Sequence, residues 1–234
     1  MTGPFKNDSS TIVKRISNRS ISANRKRNIF IVLTIALASA LLSAIVLYGF
    51  GVMQETQNRN QKTAQIMYHA ISEQQGQELY KQEEIAWVGE FFNAFSEQVN
   101  HSTVNFTYAN ADMLTSQSMP YSGDLPASED EIVVQESFLD SLGYSNELGQ
   151  TIQIPFSDGT THDFKLTGIL DVKTGDIGRY TAIISKELIR QQYGDEGMID
   201  YYIGLNGAQN MSEEEAANYA NTLAQQLKIS DDNV

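Results

Sequence analysis

The 234-residue chain has no cysteine, which excludes disulfide frameworks, thiolate-bound zinc and cysteine nucleophiles together. Histidine is nearly as scarce. His69, His101 and His162 stand far apart, with neither an HExxH pair nor any other i, i+4 spacing among them. There is no G-x-S-x-G elbow to seat a serine nucleophile, and no GxxxxGK[ST] loop to cradle nucleotide phosphates. Asp158, His162 and Asp163 are near neighbours, but Asp158-Gly159 reads as a hairpin turn and the spacing is not that of an EF-hand. Carboxylates are plentiful, as in Glu129-Asp130-Glu131 and Asp195-Glu196. A surface this acidic brings carboxylates together by chance, so no acid/base pair stands out. We read the chain as a non-enzyme that uses no cofactor and no metal. Triplets at Asn100, Asn105 and Asn210 match a glycosylation acceptor, a weak pattern that matters only in a eukaryotic host.

Charge is also missing from one long stretch, between Asn28 and Gln54. Within it, Ile29 to Phe50 is apolar throughout, long enough to span a hydrocarbon core of about 30 Å. A secretory signal has a shorter apolar core and a short basic lead, whereas this lead is 28 residues long. The small-x-small triplets Ala36-Leu-Ala38 and Ala38-Ser-Ala40 lie inside the run, the wrong place for cleavage, so we expect an uncleaved anchor. Before Ile29 there are seven basic residues against the single acid Asp8, so the tail carries +6 and the remainder −19 of a net −13. Beside a membrane span this asymmetry reads as positive-inside topology rather than nucleic-acid binding. Arg25, Lys26 and Arg27 are then the topogenic charges, and no nucleic-acid partner is expected. The expected organisation is a cytoplasmic basic segment over 1–28, a transmembrane helix over 29–53, a stalk over 54–62 and an extracytoplasmic domain over 63–234.

Two finer features lie in the membrane-associated part. Ile12, Val13, Ile16 and Ala23 share one side of a segment whose basic residues lie mostly elsewhere, which reads either as a helix resting on the inner membrane surface or as a topogenic tail with no other role. In the span, Ala36, Ala40 and Ala44 recur at i, i+4 and i+8 beside Ser39 and Ser43. These five cover one arc, and small residues let membrane helices approach closely, so the arc predicts packing against other helices.

The domain reads as mixed α and β, in one lobe or two. TAQIMYHAI predicts a strand, and SEQQGQELYKQ a helix opened by a Ser72/Gln75 capping box. EIAWVGEFFNAF and STVNFTYA alternate as hairpin strands. EIVVQ is a buried-type strand, and SFLDSLG a short helix stopped by Gly143. TIQIPF and DFKLTGIL flank the SDGTTH turn, TAIIS and MIDYYIGLNG are further strands, and KELIRQQYG is a helix. The last helix opens on a Ser212/Glu215 capping box, so Glu213 to Glu215 suit a helix N-terminus better than a metal.

The block EDEIVVQESFLDSLGYSNELGQTIQIPF…FKLTGIL resembles one found in exported domains of FtsX/MacB-type ABC-transporter permeases. Its parts are a strand over Glu131–Glu136, a helix closing at Gly143, a strand over Leu148–Ile154 and a return over Phe164–Leu170. The lead Arg19-Ser-Ile-Ser-Ala-Asn-Arg-Lys-Arg-Asn28 is similar to the start of Gram-positive members, and MYHAISEQQGQELYKQEEIAWVG to the strand–helix–strand segment after their first span. The resemblance covers roughly residues 10 to 228. It implies a MacB-periplasmic-core-like α+β domain behind one transmembrane helix, in the cell membrane, with at least three more membrane helices beyond it. It also implies partners: a cytoplasmic ATP-binding subunit, other permease helices or a second permease copy, and the lipid bilayer. ATP hydrolysis on the separate subunit would then drive export or transenvelope mechanical signalling. Because the sequence given ends at Val234, the expectation is either the first part of a longer permease or a single-pass membrane-anchored binding or sensor protein.

Overall fold

The computed structural model describes residues 9–172, 179–194 and 199–234. They fall into two compact units that divide between Thr56 and Gln57. The first is helical. α1 (Ser9–Ala23) exposes Ile12, Val13 and Ile16, and α2 (Arg25–Lys62) begins two residues after α1 ends. Over Arg25–Gln54, α2 reaches a mean hydropathy of 2.7 with its side chains exposed, the pattern of a helix solvated by lipid. At 1.5 Å per residue those 30 residues measure about 45 Å, more than a bilayer core needs.

The second unit is built on one nine-stranded mixed sheet. Its strands are β1 (Ile66–Ile71), β2 (Ile85–Val99), β3 (Ser102–Ala109), β4 (Tyr121–Gly123), β5 (Glu131–Gln135), β6 (Thr151–Pro155), β7 (Thr161–Leu170), β8 (Arg179–Ile184) and β9 (Ile199–Leu205). Their order is β1-β9-β2-β3-β8-β5-β7-β4, with β6 also on β7. The β3/β8 and β5/β7 pairs are parallel and the others antiparallel. Local chemistry sets the joints. Asn100 and His101 turn β2 into β3 with φ of 47° and 67°, the left-handed pair that a two-residue hairpin requires. Gly159, at φ 85°, does the same between β6 and β7.

Among the described residues five α-helices accompany the strands: α3 (Glu73–Leu79), α4 (Ala111–Ser116), α5 (Glu136–Leu142), α6 (Lys186–Tyr193) and α7 (Glu213–Leu227). Ser72 and Ser212 close complete capping boxes on α3 and α7, and Gly143 ends α5 at φ 80°. In α7, Ala216, Ala220, Leu223 and Ala224 recur on one face, and that face is the one buried. Neither α4 nor β4 is foreshadowed in the sequence. α4 has only six residues, too few for a hydrophobic period, and its start is set by the Asn110 side chain accepting from Met113 N at 2.9 Å.

Although the sheet is continuous, its apolar packing divides. α7 and α3 close one cluster over β1, β9 and β2, centred on Tyr68, Tyr201 and Ile203. α5 and α6 close another over β3, β8, β5 and β7, around Phe106, Phe138 and Leu166. The opposite face of the sheet carries a smaller cluster roofed by Met113 and Leu114 of α4.

Candidate functional site

The topogenic and helix-packing residues singled out in the sequence all lie on α2. Arg25, Lys26 and Arg27 occupy its first turn and are exposed. The positive end of a helix dipole disfavours cations there, so they add nothing to the stability of the helix start. Ala36, Ser39, Ala40, Ser43 and Ala44 are likewise exposed, on one arc of the helix. Ser39 Oγ donates to Ile35 O at 2.6 Å and Thr34 Oγ1 to Phe30 O at 2.8 Å. Folding back onto their own helix, these hydroxyls satisfy themselves without water.

Within the α/β domain, the polar centre is a cluster that no sequence motif announces. Glu90, in β2, has a side chain only 6% exposed and lies in the seam between the two large apolar clusters. Its Oε1 accepts from the Tyr80 hydroxyl at 3.0 Å, and its Oε2 from the Tyr108 hydroxyl at 2.6 Å and Lys186 Nζ at 3.1 Å. Lys186 also pairs with Glu73 at 3.1 Å and stands 5.9 Å from the centre of the Tyr108 ring. Arg190 Nη2 donates to both oxygens of Glu73. The chain thus runs from α3 through Glu73 to α6, and from α6 to the buried Glu90 of the sheet.

This geometry sets the electrostatics. The Arg190 hydrogen bond, helped by Lys186, holds the Glu73 carboxyl below its usual 4.5. Burial, then the neighbouring Glu90 charge, pushes the phenols of Tyr80, Tyr108 and Tyr201 well above 10.0. All three therefore stay protonated, and Tyr80 and Tyr108 serve as donors to Glu90. Glu90 accepts on both oxygens and pairs with a cation, so it is a satisfied buried acid that joins two half-cores rather than an open acid/base site. Its one sequence signal was a carboxylate in the apolar run Ile85–Phe95. The partners come from as far as 117 residues away in the chain, as Arg190 does for Glu73, and no spacing rule connects them.

The remaining polar residues form small separate groups, one of which joins Asp158 to His162 through Thr160 Oγ1, 3.1 Å from His162 Nε2. His69 Nδ1 lies 2.6 Å from Asp200, and His101 sits in the β2–β3 turn. Asp158 accepts from Thr160 N and Oγ1 at 2.8 and 2.7 Å, while Asp163 accepts from Gln153 at 2.9 Å, so the two face different partners. Among the described residues no group of three or more acids and histidines is placed to hold a metal. Asn105 lies in mid-strand with a buried Thr107 two residues on, unlike the exposed loop that glycosylation requires.

The model of one protein family, the MacB-like periplasmic core domain, matches residues 29–222. No curated protein matches the chain. Among solved structures, it is similar to the periplasmic region of MacB from Actinobacillus actinomycetemcomitans, with 12% identity, a TM-score of 0.48, and coverage of 69% of this chain and 83% of that one. It is also similar to the extracellular domain of the noncanonic ABC-type transporter YknZ from Gram-positive bacteria, with 12% identity, a TM-score of 0.45, and coverage of 67% and 91%. With the family match running from inside α2 to within α7, over most of its length, the chain belongs to the family of MacB-like periplasmic core domains.

Proposed function

We propose that this chain is an ABC-transporter permease subunit, whole or its N-terminal part, with α2 as its first membrane helix. The basic tail lies in the cytoplasm and the α/β domain on the extracytoplasmic side. A separate subunit binds and hydrolyses ATP, and its cycle is coupled through the permease to export or to mechanical signalling across the envelope. The observation that carries this reading is the unbroken family match over 29–222, which takes in the apolar helix and the domain as one unit. Three features support it. The tail is +6 and the remainder −19, as a positive-inside orientation demands. The sequence given has no P-loop, in keeping with ATP hydrolysis on a separate subunit. The small-residue arc on α2 offers a surface for further permease helices or a second permease copy, within the lipid bilayer.

The absence of cysteine makes the topology directly testable. Single cysteines at Asn18 and Asn233 are exposed to a membrane-impermeant maleimide on intact cells. Asn233→Cys is expected to label at once and Asn18→Cys only after permeabilisation; the reverse pattern refutes the orientation. Affinity purification of the tagged protein from its native membranes is expected to bring down an ATP-binding subunit with vanadate-sensitive ATPase activity. Recovery without any nucleotide-binding protein would count against the coupling.

A further inference from the structure

On the sheet face opposite α3, α5, α6 and α7, a cleft of about 260 Å³ opens beside α4. Asn93 of β2, Asn105 and Thr107 of β3 and Thr181 of β8 give it a polar floor, and Phe91 and Met119 an apolar side. Every side chain lining it is uncharged, in a chain whose net charge is −13. Thr107 is only 6% exposed, and its Oγ1 has no hydrogen-bond partner, an uncommon state for a buried hydroxyl. The strands below are interior. Thr107 pairs with Asn93 on one side and Ile183 on the other, so the backbone is already engaged and a peptide cannot be added as a further strand.

These features define the occupant: uncharged, rich in hydrogen-bonding groups, with one apolar face, and held by side chains alone. At about 260 Å³ the space lies just below the range for drug-sized ligands, which limits it to about one ring. We propose that the cleft binds a single ring of an uncharged sugar. The C–H face of the ring packs on Phe91 and Met119, and its hydroxyls bond Asn93, Asn105 and Thr181. As it stands the Thr107 hydroxyl is closed off from the cleft, and the proposal requires rotation about χ1 to turn it to the ligand. The cleft belongs to the α/β domain alone and stands whether or not the ATPase coupling proposed above holds.

The test uses the full chain in lipid nanodiscs and saturation-transfer NMR. The probes are N-acetylglucosamine, its charged counterpart glucuronate, and the neutral tripeptide amide Ala-Asn-Ala. N-acetylglucosamine is expected to bind with a Kd on the order of 1 mM, as one weakly held ring does. Thr107→Val, which keeps the shape and removes only the hydroxyl, is expected to weaken binding at least fivefold. So is Asn93→Ala, at an exposed position where the fold is not at risk. Intact Trp87 fluorescence verifies folding of both. The proposal falls if N-acetylglucosamine gives no transfer, or if both variants bind it like the parent. It falls equally if glucuronate binds as well, or if the tripeptide binds in place of the sugar.

Discussion

Lys186→Met tests whether the Glu90 cluster holds the two half-cores together. The Lys186 side chain is 19% exposed and its ammonium lies 3.1 Å from each of Glu73 and Glu90, while the Glu90 side chain is 6% exposed. Removing one partner of a fully buried pair costs about 3–5 kcal/mol, because the other charge is left uncompensated. Two features lower that figure here. The Tyr80 and Tyr108 hydroxyls still donate to Glu90, and Lys186 is partly wetted. Methionine also keeps most of the packing of the lysine stem. The expected loss is about 2–3 kcal/mol, or a fall of about 5–10 °C in Tm for a domain of this size. Urea and thermal unfolding of the full chain in nanodiscs provide the assay. They are followed by the single tryptophan, Trp87, which packs on Gly204 between β2 and β9. Adding Glu90→Gln removes the stranded charge and is expected to recover at least half of the loss. The reasoning is refuted if Lys186→Met stays within about 0.5 kcal/mol of the parent, the range of ordinary surface substitutions, or if the double variant is no better than the single.

Glu73 has a folded pKa below its usual 4.5, so its stabilisation is present above about pH 4.5 and is lost as pH falls through the depressed value. Glu73→Gln is expected to flatten that part of the urea-midpoint curve below pH 5. The change is modest and salt-sensitive, since the side chain is 37% exposed, and an unaltered acid limb would argue against the pairing. A β-carbon at Gly76 falls on the ring carbons and hydroxyl of Tyr201, so Gly76→Ala is expected to cost about 1–3 kcal/mol. Tyr201→Phe removes the hydroxyl, which has no hydrogen-bond partner; in calorimetry it should be neutral or stabilising alone and, because the ring carbons remain, should relieve Gly76→Ala only in part. If the α2 arc packs against other helices, Ala40→Leu weakens co-purification with the rest of the permease while membrane insertion is unchanged; undiminished co-purification would discount the arc.

Local signals were legible wherever one residue type does one job. Ser72 with Gln75 and Ser212 with Glu215 mark helix starts in the sequence alone, and Asp158-Gly159 marks a turn that is found at φ 85°. The apolar run from Ile29 to Phe50 is a helix for the same reason: its length and lack of charge are properties of the chain itself. α4 was not legible, because six residues complete fewer than two turns and the Asn110 cap that starts them comes after a strand without a break.

By itself, then, the sequence determined most of the elements apart from α4 and β4, the apolar helix and the charge asymmetry on its two sides, since each depends on neighbours a few residues apart. Only the tertiary structure decided which elements share a sheet and where the polar groups meet. Glu90 gathers Tyr80, Tyr108 and Lys186, and Thr107 is left with an unpartnered hydroxyl at the floor of an uncharged cleft. The physical reason is range. Helix caps and turns are settled by bonds between near neighbours, whereas a buried carboxylate takes its cation from whatever strand order and helix packing bring within about 3 Å.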